Sequence, residues 1–353
     1  MFGNEPPILA GRGKMIDDVL NGLRNAPGDP NRVTLFTGPR GSGKTVLLAR
    51  IASEAESIGW ISASASASPR LLDELIEQIE RRAANLLPKK SVGKLTGLQV
   101  YGTGFTREIS PERELTWRTR VENHLDIFDE TGTGLIFVID EISAEHASLI
   151  ELISTFQAFI MAKRNVALIM AGLPNKVMQL YQHDSVSFLR RAFRRNLGPV
   201  SMPDVRAAIK KTVELTGREI EARALSAASE KTEGFPFLIQ LIGYHAFNRS
   251  NRKTITLADA KAGIRDAEED MQNMILDATM FELSSKDREY LNAMLEDEGA
   301  SRTADIAARM GVSASYAGQY KRRLAKLGVI TETRRGEVDF VMPMMKRYMR
   351  KQQ

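Results

Sequence analysis

The chain has 353 residues, of which 43% are hydrophobic and 26% charged, and it contains no cysteine. This composition is typical of a soluble globular protein, and it excludes disulfides, thiolate metal sites and cysteine nucleophiles. The length predicts two or three domains, at about 100–200 residues each. The longest nearly apolar stretch, residues 235–247, is too short to span a bilayer. Because the N-terminus also lacks a signal pattern, we expect a cytoplasmic protein with no membrane partner.

The net charge of +5 is concentrated at one end of the sequence. Residues 284–353 hold 14 Lys and Arg against 9 Asp and Glu, whereas the rest of the chain holds 35 of each. An acidic partner such as nucleic acid is therefore expected to bind the last fifth of the chain.

In chain order, residues 8–23 predict a Gly-Arg turn and an amphipathic helix. A β-rich run at 33–37 then leads into a block that matches G-x-x-x-x-G-K-[ST] without departure, and an apolar-periodic helix follows it. The block reads Gly38, Pro39, Arg40, Gly41, Ser42, Gly43, Lys44, Thr45.

The residue types of this block suit the binding of a nucleoside triphosphate. Its glycines let backbone N–H groups approach phosphate oxygens, and the helix N-terminus adds a positive dipole end. Lys44 can reach the β- and γ-phosphates, and the Thr45 hydroxyl can ligate Mg²⁺. The alternative is a glycine-rich turn that only joins a strand to a helix.

The segments between this block and the next motif are less informative. Residues 58–63 predict a short strand, and residues 69 to about 87 a helix. Residues 93–110 alternate Gly with apolar side chains, which predicts an inserted β-hairpin. The hairpin either contacts DNA or another partner or decorates a sheet edge, and we favour decoration. A helix at about 112–130 follows.

A continuous apolar run at 135–139 is typical of a central parallel strand, and it ends in two acidic residues. Asp140 is placed to hold Mg²⁺ or its water, and Glu141 to orient or deprotonate an attacking water. The alternative is a pair of solvated acids after a strand.

Residues 165–171 predict another buried strand. Four arginines then fall within six positions, and at helical spacing at most one or two of them can face one site. We take Arg194 as the residue that meets the γ-phosphate, in the same chain or across a subunit boundary in a nucleotide-dependent oligomer. Solvated or structurally paired arginines are the alternative. The four are Arg190, Arg191, Arg194 and Arg195.

The remaining residues predict two smaller domains. Four helices without a strand pattern at about 203–278 predict an all-helical lid. From residue 283, three helices and two short strands round a basic tip predict a winged helix-turn-helix. Its third helix and the tip hold the candidate DNA contacts Ser315, Tyr316, Gln319, Lys321, Arg322, Arg323, Arg334 and Arg335. The alternative is a winged helix that packs on its own ATPase domain or on a protein partner.

With these motifs in this order, the chain resembles the AAA+-related and STAND group of P-loop ATPases, especially those with an origin-recognition-like ATPase domain. The resemblance covers essentially the whole chain. An Ala-Gly-Arg entry at 10–12 resembles the group's Gly-Arg-Glu motif, and 234–236 resembles its lid motif Gly-x-Pro. The resemblance implies that Gly11 and Arg12 lie near the base or ribose and that Pro236 closes over the nucleotide.

The chain departs from the family pattern at two places. Gly13 stands where the family usually has a glutamate. The strand that usually ends in a polar sensor ends here in Ala171-Gly172, with Asn175 as the nearest amide. Because that sensor helps to position water, its loss favours slow hydrolysis.

We therefore predict an α/β fold of three parts: a P-loop ATPase domain (1–200) with a parallel sheet covered by helices on both faces, a helical lid (201–282) and a winged helix (283–353). The predicted function is an ATP- and Mg²⁺-binding switch ATPase whose nucleotide state repositions the winged helix, acting on double-stranded DNA. One alternative is a slowly hydrolysing, nucleotide-locked signalling switch whose winged helix binds protein. Another is an ATP-licensed loader in DNA replication, partition or transposition.

Overall fold

A computed structural model describes residues 6–84 and 116–352. The predicted hairpin at 93–110 lies outside the described residues. The described helices are α1 (Gly13–Arg24), α2 (Lys44–Ser57), α3 (Leu71–Ala83), α4 (Trp117–Thr131), α5 (Ala147–Met161), α6 (Pro174–Gln182), α7 (Met202–Glu214), α8 (Ala222–Lys231), α9 (Pro236–Asn248), α10 (Leu257–Met271), α11 (Asp277–Phe281), α12 (Ser285–Met294), α13 (Thr303–Arg309), α14 (Ala314–Lys326) and α15 (Met345–Gln352). The described strands are β1 (Val33–Thr37), β2 (Ile61–Ser66), β3 (Leu135–Asp140), β4 (Val166–Gly172), β5 (Phe193–Asn196), β6 (Glu219–Ile220), β7 (Thr254–Ile255), β8 (Ser301–Arg302), β9 (Ile330–Arg334) and β10 (Glu337–Phe340).

The N-terminal part is built on a parallel sheet with the order β2-β3-β4-β1-β5 among the described strands. Strands β3 and β4 are almost wholly apolar and buried, as central strands covered on both faces must be. The carboxyl ends of β1 and β3 both lie beside β4, so the two sequence motifs that follow them meet at one edge of the sheet.

Helices cover both faces of this sheet. Leu35 packs with α3, α4, α5 and α6, whereas its neighbour Phe36 packs with α1 and α2 on the opposite face. This alternation is the period-2 pattern of a strand. The predicted α/β fold of the P-loop type is confirmed.

The lid contains the four predicted helices, α7 to α10, and its described residues also include a short parallel pair, β6 and β7. The expectation of a lid without strands is therefore wrong, because β6 and β7, of two residues each, pair within it. A π-helical turn at Gln272–Leu276 connects α10 to α11.

Residues from 283 onward contain α12, α13 and α14, then the β9–β10 hairpin. The described sheet here is antiparallel with the order β8-β10-β9. Neither β8 nor α15 is among the predicted elements. We call residues 283–352 the C-terminal module, and the winged-helix assignment stays a prediction.

The arginine-rich segment is not a continuous helix. Residues Asp184–Arg191 form a 3₁₀ helix, and Phe193–Asn196 form β5, the edge strand beside β1. The helical spacing assumed for the four arginines is therefore wrong. None of the helices that the structure describes is long and apolar enough to cross a membrane.

Candidate nucleotide-binding site

The phosphate-binding loop connects β1 to α2. Gly41 and Gly43 adopt φ angles of +75° and +84°, which side chains with a β-carbon rarely adopt. A β-carbon on Gly38 would lie 2.5 Å from the Ser42 hydroxyl oxygen. These glycines therefore let the loop turn tightly enough to point N–H groups inward.

The Lys44 ammonium is folded onto the loop itself. Its Nζ donates to the carbonyl oxygens of Gly38 at 2.9 Å and Pro39 at 2.8 Å. Burial lowers the pKa of Lys44 to about 8, and the nearby Asp140 carboxylate opposes that shift. An anionic phosphate beside the ammonium would stabilise its charged form further, so this position suits a polyphosphate.

Thr45 and Asp140 meet although 95 positions separate them in sequence. The Thr45 hydroxyl donates to Asp140 Oδ2 at 2.5 Å. A hydroxyl and a carboxylate are hard oxygen ligands, the type that Mg²⁺ prefers. The residues present thus fit the predicted metal site.

Glu141 is exposed beside this pair, with φ +52°. Its N–H donates to Asp140 Oδ1 at 2.8 Å, which helps to fix the Asp140 side chain. No ion pair to a described residue occupies the Glu141 carboxylate. Left-handed backbone is costly for a residue with a β-carbon, and such strain clusters at functional sites.

The lid is in direct contact with the phosphate-binding loop. The Phe237 N–H donates to the Gly41 carbonyl oxygen at 3.2 Å, and a β-carbon on Gly43 would lie 3.5 Å from Pro236. A β-carbon on Gly41 would lie 2.9 Å from the Phe235 ring. Pro236 therefore lies beside the phosphate-binding loop, and its closing over a bound nucleotide, which the resemblance implies, stays a prediction.

A cavity of about 590 Å³ extends from Ser42 and Gly43 between the lid and the N-terminal segment 6–10. One face of α7 and one face of α9 form its lid side, and most of its lining is apolar. Its position next to the phosphate-binding loop and its apolar walls suit the base and sugar of a nucleotide.

Arg12 lines this cavity and has a structural partner, whereas Gly11 is not among the residues that line it. Gly11 has φ +62°, and a β-carbon there would lie 2.8 Å from Val200 Cγ1. The buried Arg12 guanidinium donates to the Gly198 carbonyl oxygen at 2.7 Å, and burial lowers its pKa. This hydrogen bond holds the N-terminal segment against Gly198, which lies just before the lid in sequence.

The described contacts of the four arginines do not reach the phosphate-binding loop. Arg194 lies over the Tyr181 ring at 5.0 Å, and Arg190 donates to the Tyr181 carbonyl oxygen. Arg195 pairs with Asp18 at 2.8 Å. Arg191 is exposed. The predicted contact of Arg194 with the γ-phosphate stays a prediction.

The end of β4 has no room for a polar sensor. A β-carbon on Gly172 would lie 2.7 Å from Ile142 Cγ1, and the Ile142 N–H donates to the Ala171 carbonyl oxygen. The nearest amide, Asn175, has a buried Oδ1 without a hydrogen-bond partner among the described residues.

Sequence patterns gave no sign that the C-terminal module also touches the phosphate-binding loop. Arg40 NH2 lies 2.5 Å from Glu282 Oε1, just before the module. A β-carbon on Gly328 would lie 3.7 Å from Pro39. An ion pair between two half-exposed residues 242 positions apart leaves no local signal in the sequence.

The predicted DNA contacts divide into exposed and internally paired residues. Arg323 pairs with the fully buried Asp287 at 3.0 Å, and Lys321 pairs with Glu332 at 2.7 Å. The others are exposed and form no ion pair with a described residue: Ser315, Tyr316, Gln319, Arg322, Arg334 and Arg335. Whether any of them touches DNA stays a prediction.

Comparison with known proteins agrees with this geometry. Residues 8–169 match the AAA ATPase domain family, and residues 273–349 match a family described as a domain of unknown function (DUF8462). The chain therefore contains an AAA+ P-loop ATPase domain, as the sequence predicts. No curated protein matches the chain.

Solved structures match this chain at low sequence identity. The Walker-type ATPase PABY2304 of Pyrococcus abyssi is 15% identical, with a TM-score of 0.70 over 99% of this chain and 100% of that one. Cdc6p from Pyrobaculum aerophilum is 15% identical, with a TM-score of 0.49 over 99% of this chain and 95% of that one. The Aeropyrum pernix ORC1 protein in complex with DNA is 14% identical, with a TM-score of 0.45 over 98% and 94%.

Proposed function

We propose that this protein is an ATP-hydrolysing switch in which the bound nucleotide controls the position of the C-terminal module, and that the module acts on DNA. The observation that carries the proposal is the double contact of the phosphate-binding loop. Gly41 and Gly43 lie against the lid, while Pro39 lies against the C-terminal module and Arg40 pairs with Glu282, the residue just before it.

The chain's own residues divide the work of binding and hydrolysis. The loop N–H groups and Lys44 would hold the phosphates, and Thr45 and Asp140 would hold Mg²⁺, which would neutralise phosphate charge. Glu141 positions and deprotonates the attacking water. Within its own chain Arg194, on the edge strand, lies over the Tyr181 ring. We therefore propose that it meets a phosphate only in the site of a neighbouring subunit.

Lys44 supplies a route from phosphate to the module. Its ammonium donates to the Pro39 carbonyl oxygen, and Pro39 packs against Gly328. A phosphate draws the ammonium away from that carbonyl, which changes the loop surface on which the module lies. A ligand shifts such an equilibrium only through its different affinity for the two arrangements, and the γ-phosphate provides that difference.

The turnover of Glu141→Gln tests the hydrolytic part. General-base assistance contributes typically about 10²–10⁴-fold, so we expect a loss of that order in ATP turnover with ATP binding retained. Glu145→Gln is the control, because Glu145 is an exposed acid nearby that pairs with Lys176. Wild-type turnover by Glu141→Gln would show that Glu141 is not the base.

A slowly hydrolysing, nucleotide-locked switch is the second candidate, and the close packing of Gly172 on Ile142 favours it. In that case the module binds a protein instead of DNA. Chromatography of nucleotide released from the purified protein separates the two. Stoichiometric ADP supports the locked switch, whereas nucleotide-free protein with steady turnover supports the cycling ATPase.

A further inference from the structure

The cavity between the lid and segment 6–10 contains a side-chain amide that has no hydrogen-bond partner in the described part of the chain. Gln240 lies on the cavity-lining face of α9, is half-buried, and has no hydrogen bond to a described residue. An amide inside an apolar cavity is costly unless it is hydrogen-bonded, so a ligand that satisfies it gains affinity and selectivity.

The position of Gln240 along α9 matches the sugar and base of a bound nucleotide. Pro236 lies against Gly43 at the phosphate end of the cavity. Gln240 follows four residues later, on the same helix face and about 6 Å further along the helix axis. Beyond it the cavity continues between Gly243, Tyr244 and Phe247, which offer flat apolar surface.

Other polar groups in the wall discriminate less between bases. Arg12, Thr216 and Asn248 already donate to backbone carbonyl oxygens. Thr212 and Tyr244 carry hydroxyls, which rotate and serve as donor or acceptor. An amide instead presents one acceptor and one donor group at fixed separation.

We infer that Gln240 reads the base of the nucleotide and makes the cavity select adenine over guanine. The amide matches adenine N6 as donor and N7 as acceptor, whereas guanine presents two acceptors, O6 and N7, along the same edge. This inference rests on the proposed nucleotide binding and names the residue that decides which nucleotide binds.

Competition binding tests the inference. ATP, GTP and 7-deaza-ATP displace a fluorescent N-methylanthraniloyl-ATP from the full chain in the presence of Mg²⁺. For the wild type we expect ATP to compete about 10- to 100-fold better than GTP, and 7-deaza-ATP, which lacks the N7 acceptor, to compete about 10-fold worse than ATP. In Gln240→Leu all three should compete within about 3-fold of one another.

A second variant excludes misfolding as the explanation. Gln240→Lys presents a donor to O6 and N7, so we expect its preference to shift towards GTP, a gain that misfolding cannot produce. The control is Gln179→Leu, which changes an exposed amide on α6. It should behave as the wild type.

The outcomes separate this inference from the function on which it rests. A wild type that binds no nucleotide overturns both. A wild type that binds ATP, with an unchanged ATP-to-GTP ratio in Gln240→Leu and Gln240→Lys, overturns only the role of Gln240.

Discussion

At the scale of single residues, Gly172 explains why this site lacks a polar sensor. Ile142 follows the acidic pair by one residue, and its side chain occupies the space into which a β-carbon on Gly172 would project. The hydrogen bond from the Ile142 N–H to Ala171 fixes the two segments at this distance. The packing of Ile142 against Gly172 therefore leaves no space for a polar side chain at the end of β4.

Gly172→Ala should destabilise the protein. The new β-carbon would lie 2.7 Å from Ile142 Cγ1, and overpacking of this kind typically costs about 1–3 kcal/mol. Gly198→Ala is the control, because nothing lies within 4 Å of its β-carbon position. Chemical denaturation measures both free energies of unfolding, and equal values for the two variants would contradict this packing argument.

Single residues also show what a motif predicts and what it does not. The spacing within G-x-x-x-x-G-K-[ST], followed by a buried strand ending in Asp140, places Thr45 beside that carboxylate because both strands end at one sheet edge. Arg12 is different. Its place near the base or ribose stays a prediction, and its bond to the Gly198 carbonyl oxygen joins residues 186 positions apart, which local sequence does not predict.

At the scale of elements, α14 carries both a structural face and an exposed face. Arg323 supports α12, because it pairs with the fully buried Asp287 whose carboxylate also caps that helix through Ser284. Arg322, the neighbouring residue, is exposed. The two adjacent arginines therefore have separable roles.

Alanine substitution of Arg322 should affect DNA binding, whereas alanine substitution of Arg323 should affect stability. Arg322→Ala should weaken DNA binding and make its salt dependence shallower by about one unit of slope, with stability unchanged. Arg323→Ala should lower the free energy of unfolding, because it leaves the buried Asp287 carboxylate with fewer partners. Salt-titrated DNA binding and chemical denaturation check both, and no DNA binding even at low salt would exclude a DNA-acting module.

The C-terminal module should lose stability in acid. Arg309 donates to both carboxylate oxygens of Asp297, at 2.6 and 2.8 Å, and these bonds hold the Asp297 pKa at about 2. A depressed carboxyl pKa stabilises the folded state above the unfolded-state value of about 3.9, and this contribution is lost as the pH falls towards 2. Asp297→Asn should flatten the pH dependence of unfolding between pH 4 and 2. An unchanged slope would contradict the pairing.

Periodicity predicted most elements and failed where tertiary contacts decide. The apolar runs of β3 and β4 are predicted as strands because they are short and contain β-branched residues, since periodicity alone does not separate a buried strand from a buried helix. Residues 188–195 alternate pairs of apolar and basic residues, a pattern that also suits a helix. Pairing with β1 instead makes Phe193–Asn196 extended, and that pairing is not encoded locally.

At the scale of the whole molecule, the phosphate-binding loop is the place where three parts meet. The lid contacts Gly41 and Gly43, the C-terminal module contacts Pro39, and Glu282, just before the module, pairs with Arg40. None of these contacts was predictable from local pattern, because each joins segments more than 190 positions apart. They nevertheless determine what the nucleotide can move.

The connection between lid and module is an irregular helical turn. The π-helical turn at Gln272–Leu276 interrupts the helical run, as such turns often do at functional sites. Helix α15 contacts both sides of it: Arg347 pairs with Glu268 at 2.9 Å, and the Tyr348 hydroxyl donates to Asp277 at 2.5 Å. Because lid and module also share one hydrophobic core, a movement of the module relative to the lid must break contacts of this kind.

The central claim is that nucleotide binding at the loop moves the C-terminal module, and a distance across the molecule tests it most directly. Because the chain has no cysteine, dyes can be attached at Ser57→Cys on α2 and Thr333→Cys on the β9–β10 hairpin, both exposed positions. Energy transfer is then measured without nucleotide, with ADP, and with ATP and Mg²⁺ in the Glu141→Gln background. Glu282→Arg, which breaks the pair with Arg40, serves as the reference for a released module. We predict that ATP changes the transfer efficiency towards that of Glu282→Arg and that ADP does not; the same efficiency in all three nucleotide conditions would contradict the switch.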